Sequence, residues 1–135
     1  EPVAEIGGVR YVNDSKATNA AAAEKALLAY DNIRWIAGGR AKDGGIAALL
    51  PLLGRVKKTY LVGEATEAFA TQLGDAPHVK SETIDRAVEM AAVDAEPGDT
   101  VMLAPACASF DMFSGYVARG EAFVAAVAQL TEAGA

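Results

Sequence analysis

Hydrophobic positions in this chain alternate between short apolar runs and longer stretches with helical spacing. The apolar runs predict strands at 9–12, 33–37, 59–62, 78–80 and 100–104. The stretches between them predict helices at 20–30, 46–53, 64–73, 84–92 and 113–132. Thr18 or Asn19 is expected to cap the first helix, and Pro51 interrupts the second.

This regular alternation of strands and helices predicts an α/β fold. Right-handed crossovers place the strands in one mostly parallel sheet with helices on both faces, and so give three layers. The strands are almost continuously apolar, as a sheet that is covered on both sides requires. Arg10 and Tyr11 predict an edge position for the first of these strands, with an antiparallel pairing left open. Residues 1–8 are either a linker remnant or a short edge strand, and residues 9–133 form the domain.

Composition limits the class of protein. With 135 residues, 52% of them hydrophobic and 22% charged, the chain suits one globular domain with one core. The net charge of −6 and the scattered basic residues disfavour a nucleic-acid partner. The single Cys107 cannot form an internal disulfide, which fits a reducing compartment.

The location and the assembly are also predicted. No apolar run approaches the roughly 18 residues that span a membrane, so we expect a cytoplasmic protein without membrane contact. The chain does not begin with methionine, and we expect it to be one domain of a longer protein. Nothing in the sequence indicates an obligate interface, so a monomer is expected.

The candidate chemistry lies in the loops that follow the strands, because ligands bind at the carboxyl ends of strands in open parallel sheets. The first loop, residues 13–19, is almost entirely polar. Asp14 offers an acceptor, Lys16 a cation, and Thr18 a hydroxyl beside a helix N-terminus, which itself favours anions. An ordinary capped turn remains the alternative, since the same residue types stabilise turns and helix starts.

The second loop, residues 38–45, contains four glycines that allow a ligand to approach the backbone closely. Arg40 and Lys42 lie among them and favour a carboxylate or phosphate ligand. The glycine spacing fits neither a Walker A loop nor a dinucleotide fingerprint. A flexible solvent-exposed loop is the alternative.

The third loop, residues 104–113, starts with small residues and continues with Ser109 and Phe110. Ser109 is able to donate a hydrogen bond to a carboxylate, or alternatively to cap the next helix. Cys107 is expected to be a small buried residue rather than a nucleophile, because the single histidine, His78, lies in another segment. Acidic residues show no metal-ligand spacing, so no metal site is predicted.

The three loops resemble signature segments of the Mur ligases that join D-glutamate to UDP-N-acetylmuramoyl-L-alanine. Residues 13–19 read N-D-S-K-A-T-N as in those enzymes, and Gly38-Gly39 with Lys42 resembles their G-G-x-x-K loop. Residues 105–111 resemble the family's S-P-A-x-A-S-x-D segment, with Ala104 in place of its first serine. Arg119-Gly120 with Phe123 resembles the R-G-x-x-F helix that follows. The likeness extends from about residue 8 to about residue 130.

This resemblance implies the C-terminal, amino-acid-binding domain of a three-domain, ATP-dependent ligase of peptidoglycan biosynthesis. The domain would have Rossmann-like, dinucleotide-binding topology. The reaction would pass through an acyl phosphate on the L-alanine carboxylate, which the amine of D-glutamate attacks. ATP and Mg²⁺ would be bound mainly by a central domain, and the UDP-sugar by an N-terminal domain. Since both are absent from this chain, it is expected to be inactive alone.

The resemblance also implies roles for individual residues. Three side chains would hold the carboxylates of D-glutamate, assisted by main-chain groups near Phe110 and Tyr116. Asp14 and Lys16 would face the nucleotide across a domain cleft, and Lys16 is the expected catalytic residue. A dicarboxylate requires convergent cations and hydroxyls, which agrees with the composition of the loops. The three carboxylate-binding side chains are those of Lys42, Thr18 and Ser109.

Other functions remain open at the level of the sequence. One is a related Mur or folylpolyglutamate-type ligase domain that takes another amino acid, although such ligases usually carry a D-Y-x-H-like first loop. Another is a non-catalytic α/β module that binds an anion. A scaffold for cell-division partners has no positive feature in the sequence.

Overall fold

The computed structural model of the chain describes residues 1–40, 45–108 and 113–134. Within them the chain forms six strands, four α-helices and one 3₁₀ helix. The strands are β1 (Pro2–Ile6), β2 (Val9–Asn13), β3 (Ile33–Gly38), β4 (Val56–Val62), β5 (His78–Glu82) and β6 (Thr100–Leu103). The helices are α1 (Ala20–Leu28), the 3₁₀ helix (Ala47–Arg55), α2 (Thr66–Leu73), α3 (Ile84–Asp94) and α4 (Tyr116–Gly134).

The six strands form one sheet in the order β1-β2-β6-β3-β4-β5. Only β1 is antiparallel to its neighbour, so the predicted α/β fold with a mostly parallel sheet is confirmed. Strands β5-β4-β3-β6 follow the 3-2-1-4 order of a dinucleotide-binding sheet, and the chain switches direction between β3 and β6. The loops after these two strands therefore flank the crevice where such sheets bind ligands.

Helices cover both faces of the sheet, as predicted. Trp35 of β3 packs on one face with Phe69 of α2, and both are fully buried. The next residue, Ile36, packs on the other face with Phe123 of α4. Successive side chains of a strand point to opposite faces, so an almost fully apolar β3 serves both cores.

The predicted edge position of the strand at residues 9–12 was wrong. Strand β2 lies inside the sheet, antiparallel to β1 on one side and parallel to β6 on the other. Residues 2–6, for which a linker and an edge strand were both open, supply the edge. Tyr11 is consequently buried, whereas Arg10 is exposed, and its guanidinium lies 5.6 Å from the centroid of the Tyr30 ring.

Several helix boundaries depend on single side chains. Asn19 caps α1, because its Oδ1 accepts a hydrogen bond from the backbone N–H of Ala22 at 2.9 Å. The segment predicted at 46–53 is a 3₁₀ helix with Pro51 inside it, since proline has no N–H to continue an α-helical ladder. Helix α4 begins at Tyr116 rather than at 113.

Among the described helices, none combines the length and apolar character that crossing a bilayer would need.

A buried polar network occupies the amino end of the sheet, opposite the three loops. Asp99 accepts hydrogen bonds from Arg34 Nε and from the backbone N–H of Glu96, each at 3.0 Å, and from Lys57 Nζ. Burial raises the pKa of Asp99, but the hydrogen bonds from Lys57, Glu96 and Arg34 outweigh it and leave that pKa below its ordinary value. The network joins β3, β4 and β6 where these strands begin.

Candidate functional site

The first and third loops are joined by backbone hydrogen bonds at the carboxyl edge of the sheet. The N–H of Asp14 donates to the carbonyl of Leu103 at 2.8 Å, which continues the β2–β6 pairing beyond the strands. The N–H of Ala106 then donates to the carbonyl of Ala17 at 2.9 Å. Ala106 has a φ of 60°, a left-handed conformation that costs a non-glycine residue about 1–2 kcal/mol. The hydrogen bond to Ala17 helps to hold this backbone in place.

The second and third loops are joined in the same way. The N–H of Gly38 donates to the carbonyl of Pro105 at 3.0 Å. Arg40 and Ala108 form an antiparallel bridge in which each N–H donates to the partner's carbonyl, at 2.9 and 3.2 Å. Because β6 lies between β2 and β3, the third loop lies between the other two. The described parts of the three loops that the sequence selected, residues 13–19, 38–40 and 104–108, therefore lie side by side along one rim.

Lys16 and Tyr116 line one groove of about 640 Å³ between the first loop and α4. The Lys16 side chain is exposed, and Tyr116, the first residue of α4, is half exposed. Val117 and Val124 add exposed apolar surface to the same wall. The groove thus combines the Lys16 cation and the carboxylates of Glu1 and Glu121 with an apolar and aromatic wall, a mixed lining that suits a polar organic ligand.

Asp14 and Lys16 line a second hollow, of about 490 Å³, at the N-terminus of α1. Lys25 contributes a further cation there, and Asn19 also lines the hollow. The N-terminus of a helix attracts anions, and these lysines add to that attraction. Since Lys16 lines both hollows, it occupies the ridge between them.

Thr18 lies in the same loop and is half-buried. Its N–H donates to the carbonyl of Lys16 at 2.8 Å, which forms a tight turn directly after the ridge. The helix cap belongs to Asn19, so the Thr18 hydroxyl is not occupied in capping α1. Three further candidates, Lys42, Ser109 and Phe110, lie outside the described residues.

Sequence reasoning did not select Ser15 and Arg119 as site residues, yet they join the first loop to α4. Arg119 is fully buried. Its Nε donates to Ser15 Oγ at 3.0 Å and its Nη2 donates to the Ser15 carbonyl at 2.7 Å. Arg119 precedes the buried Phe123 and Val127 by four and eight residues, so it occupies an apolar helix face. A cation on an otherwise apolar helix face is the feature of the sequence that could have identified Arg119.

Comparison with known proteins identifies the family of this chain. Residues 1–107 match the family described as "Mur ligase, glutamate ligase domain". The chain belongs to this Mur ligase domain family. The match includes the first two loops and all six strands of the sheet, and it confirms the resemblance read from the motifs.

Curated relatives of this Mur ligase domain are named UDP-N-acetylmuramoylalanine--D-glutamate ligase. The protein from Dinoroseobacter shibae is 55% identical over 127 residues, which cover 94% of this chain and 27% of that protein. The protein from Agrobacterium fabrum is 54% identical over an alignment of 135 positions, which covers 96% of this chain and 29% of that protein. The chain thus spans between 27% and 29% of the length of these relatives.

One similar solved structure is a domain from Haemophilus ducreyi assigned to a UDP-N-acetylmuramate:L-alanyl-gamma-D-glutamyl-medo-diaminopimelate ligase. It aligns with a TM-score of 0.62 at 12% identity, covering 94% of this chain and 98% of that one. At this level of identity the likeness shows the fold. The α/β architecture is therefore shared with another Mur ligase domain.

Gly39 lets the second loop of this Mur ligase domain pack against the third. Its φ is 133°, and a Cβ added there would collide with the carbonyl oxygen of Ala108. That Cβ would also lie 3.1 Å from Cys107 Cβ and 3.2 Å from Arg119 Nη1. A side chain at this position would push the loops apart, so the close approach requires glycine.

The described part of this Mur ligase domain, residues 1–40, 45–108 and 113–134, offers no metal site. It contains no group of three or more His, Cys, Asp or Glu side chains that could hold a metal ion.

The ion pair nearest the second loop, Arg40 with Glu64 at 3.6 Å, has both side chains more than half exposed. Such a pair contributes little to stability, about 0–1 kcal/mol.

Proposed function

We propose that this chain is the amino-acid-binding domain of a cytoplasmic, ATP-dependent ligase that adds D-glutamate to UDP-N-acetylmuramoyl-L-alanine in peptidoglycan biosynthesis. The carrying observation is that the described parts of the three signature loops are hydrogen-bonded side by side at the carboxyl edge of the sheet. Relatives named for this reaction, 54% to 56% identical over nearly the whole chain, support the choice of substrate.

In the proposed reaction, ATP converts the L-alanine carboxylate to an acyl phosphate, and the amine of D-glutamate displaces the phosphate to form an amide. The contribution of this chain is to hold D-glutamate with its amine directed at the acyl carbon. Fixing two reactants in a productive geometry removes much of the entropic cost of their encounter.

Lys42, Thr18 and Ser109 are proposed to hold the two carboxylates. A lysine ammonium supplies charge without fixing geometry, and the hydroxyls of Thr18 and Ser109 donate directional hydrogen bonds. Two observations support the grouping. Thr18 is not engaged as the helix cap. Arg40 and Ala108, the described residues that precede Lys42 and Ser109 in the sequence, pair with each other.

Main-chain groups near Phe110 and Tyr116 are proposed to complete the D-glutamate site. The position of Tyr116 in the groove with Lys16 supports this role. The backbone at the start of α4 is also held firmly, because the Tyr116 carbonyl accepts a hydrogen bond from Ser15 Oγ at 2.6 Å.

Asp14 and Lys16 are proposed to face the nucleotide, with Lys16 as the catalytic residue. Lys16 lines the hollow that contains Asp14 and also the groove that contains Tyr116. An ammonium on this ridge can stabilise negative charge that develops between a phosphoryl donor on one side and D-glutamate on the other.

The remaining ligands are proposed to bind mainly outside this chain. The relatives are more than three times as long, which leaves room for domains that hold ATP, Mg²⁺ and the UDP-sugar. Mg²⁺ is assigned there because the described residues contain no acidic cluster that could hold it. The proposed assembly state is a monomer.

Steady-state kinetics of the full-length ligase test the proposed function. Lys42→Ala should raise KM for D-glutamate by on the order of 10- to 100-fold, as expected for the loss of a charge-assisted contact. KM for ATP should change little. Lys80→Ala is the matched control, because Lys80 is an exposed lysine on the edge strand β5 that pairs with Glu67 and belongs to none of the three loops. Equal changes in both KM values after Lys42→Ala would contradict the assignment.

The 135-residue chain alone should show no turnover and should bind D-glutamate weakly, because closure onto the missing domains completes the site. Isothermal titration calorimetry measures this directly. Nanomolar binding by the isolated chain would instead favour an anion-binding module without chemistry of its own.

A further inference from the structure

We infer that Ser15 and Arg119 are positioning residues that hold the nucleotide-facing Lys16 and the amino-acid-facing Tyr116 in a fixed relation. The inference rests on the proposed function, because it concerns the same site. Arg119 is fully buried and cannot touch a ligand, and Ser15, although it lines the groove, is only 4% exposed. Both therefore act chiefly through the residues that they hold.

Every hydrogen-bonding group of Ser15 is engaged. Its N–H donates to Asn13 Oδ1 at 3.1 Å, and its carbonyl accepts from Arg119 Nη2 at 2.7 Å. Its hydroxyl accepts from Arg119 Nε at 3.0 Å and donates to the carbonyl of Tyr116 at 2.6 Å. A residue that is bonded in this way on all sides leaves its peptide planes almost no freedom.

The hydrogen bonds of Ser15 and Arg119 act on two residues of the proposed site, Lys16 and Tyr116. The Ser15 carbonyl belongs to the peptide group that leads into Lys16, so the bond from Arg119 orients the start of that lysine. The Ser15 hydroxyl fixes the first residue of α4, Tyr116. Lys16 and Tyr116 face the same groove of about 640 Å³. A shift of Ser15 would therefore misplace both walls of the groove together.

Stability alone is a poor explanation for a buried arginine at this place. Replacing buried ionic groups with apolar residues of similar size is often neutral or stabilising. Arg119 occupies a helix face whose next members, Phe123 and Val127, are buried and apolar. What an apolar residue could not supply is a planar fork that binds the hydroxyl and the carbonyl of Ser15 at once.

The described start of the second loop also comes close to this guanidinium. A Cβ added to Gly39 would lie 3.2 Å from Arg119 Nη1. The arginine that orients Lys16 is therefore also a neighbour of the residue that lets the second loop pack against the third.

Kinetics of Ser15→Ala in the full-length ligase provide the main test. This change removes one oxygen, so it breaks the link to Tyr116 and one of the two bonds to Arg119. We expect KM for D-glutamate and KM for ATP to rise together and kcat to fall, with a combined loss in kcat/KM on the order of 10- to 100-fold. KM for the UDP-sugar, which is proposed to bind in another domain, should stay unchanged.

Asp99→Asn is the matched control. Asp99 is as deeply buried and as heavily hydrogen-bonded as Ser15, but it lies at the amino end of the sheet. Its replacement should lower the melting temperature and leave both KM values unchanged. Arg119→Lys, which keeps the charge but loses the fork, should lie between the natural enzyme and Arg119→Met in kcat/KM.

The outcomes separate this inference from the proposed function. If Ser15→Ala lowers the melting temperature as Asp99→Asn does and leaves both KM values unchanged, the role is structural and the inference is overturned. If Lys42→Ala fails to raise KM for D-glutamate, the proposed function fails, whatever Ser15→Ala does. Should Arg119→Met not fold, the Ser15→Ala result decides alone.

Discussion

Arg40 and Ala108 exchange backbone hydrogen bonds of 2.9 and 3.2 Å across the carboxyl edge of the sheet. This short antiparallel bridge lies beyond the parallel β3–β6 pairing and couples the second loop to the third. The preceding Gly39 permits it, because the space that a Cβ would need is occupied by the Ala108 carbonyl. The bridge therefore requires a residue without a side chain at position 39.

We predict that Gly39→Ala separates these two loops. A φ of 133° strains any L-residue by about 1–3 kcal/mol, and the steric overlap with Ala108 adds to that. The free energy of unfolding from urea titration should fall by at least about 2 kcal/mol. Gly54→Ala is the control, since a Cβ there meets nothing within 4 Å. An equal effect of both changes would refute the prediction.

Substitutions at the neighbouring residues Thr18 and Asn19 should affect different properties, D-glutamate binding at Thr18 and stability at Asn19. Thr18→Val keeps the shape of the side chain and removes the hydroxyl that we assign to D-glutamate. In the full-length ligase KM for D-glutamate should rise on the order of 10- to 100-fold, as expected when a hydrogen bond to a charged group is lost. The melting temperature should hardly change.

Asn19→Ala should show the opposite pattern. It removes the Oδ1 that caps the N–H of Ala22 and should cost about 1 kcal/mol of stability. KM for D-glutamate should remain close to that of the natural enzyme. A marked stability loss in Thr18→Val would mean that its hydroxyl serves the fold instead.

Trp35→Phe should destabilise the domain by about 2–3 kcal/mol. The indole Nε1 donates to the carbonyl of Ala104 at 2.7 Å, and both residues are fully buried. Phenylalanine leaves that carbonyl without this donor and a small void beside it. Unfolding must be followed by circular dichroism, because Trp35 is the single tryptophan. Val93→Ala, at an 85% exposed position, should have no measurable effect.

Asp99 should make the domain sensitive to acid. Its pKa is lower in the folded state than in the unfolded chain, so its ion pairs stabilise the fold fully above about pH 4. That contribution is lost as pH falls from there through the folded-state pKa. The urea midpoint should therefore drop steeply below about pH 4.

Asp99→Asn should flatten this pH dependence and cost about 3 kcal/mol at neutral pH, the lower end of the range for breaking a buried pair. The lower end applies because Lys57, one of its partners, has a side chain that is 35% exposed. Asp31→Asn is the control, as the Asp31 side chain is 75% exposed. A pH profile that Asp99→Asn leaves as steep as before would count against the assignment.

Local pattern predicted most elements because each depends on residues close in sequence. The apolar run predicted as a strand at 33–37 lies in the buried strand β3, and the polar first loop precedes a capped helix, as expected. The hydrophobic pattern did not predict correctly which strand forms the edge of the sheet. The position of Tyr11 depends on whether residues 2–6 pair with its strand, which is a long-range choice that its own neighbourhood does not encode.

The sequence by itself determined the α/β class, the family, and the three loops where the chemistry should lie, since each of these is written in contiguous residues. Only the tertiary structure decided that the described parts of the loops lie side by side and that Arg119 holds Ser15 from a distance of 104 positions along the chain. The physical reason is that a buried charge must find its partners through folding. The spacing of residues shows that a cation lies on an apolar face, but the packed chain decides which group it meets.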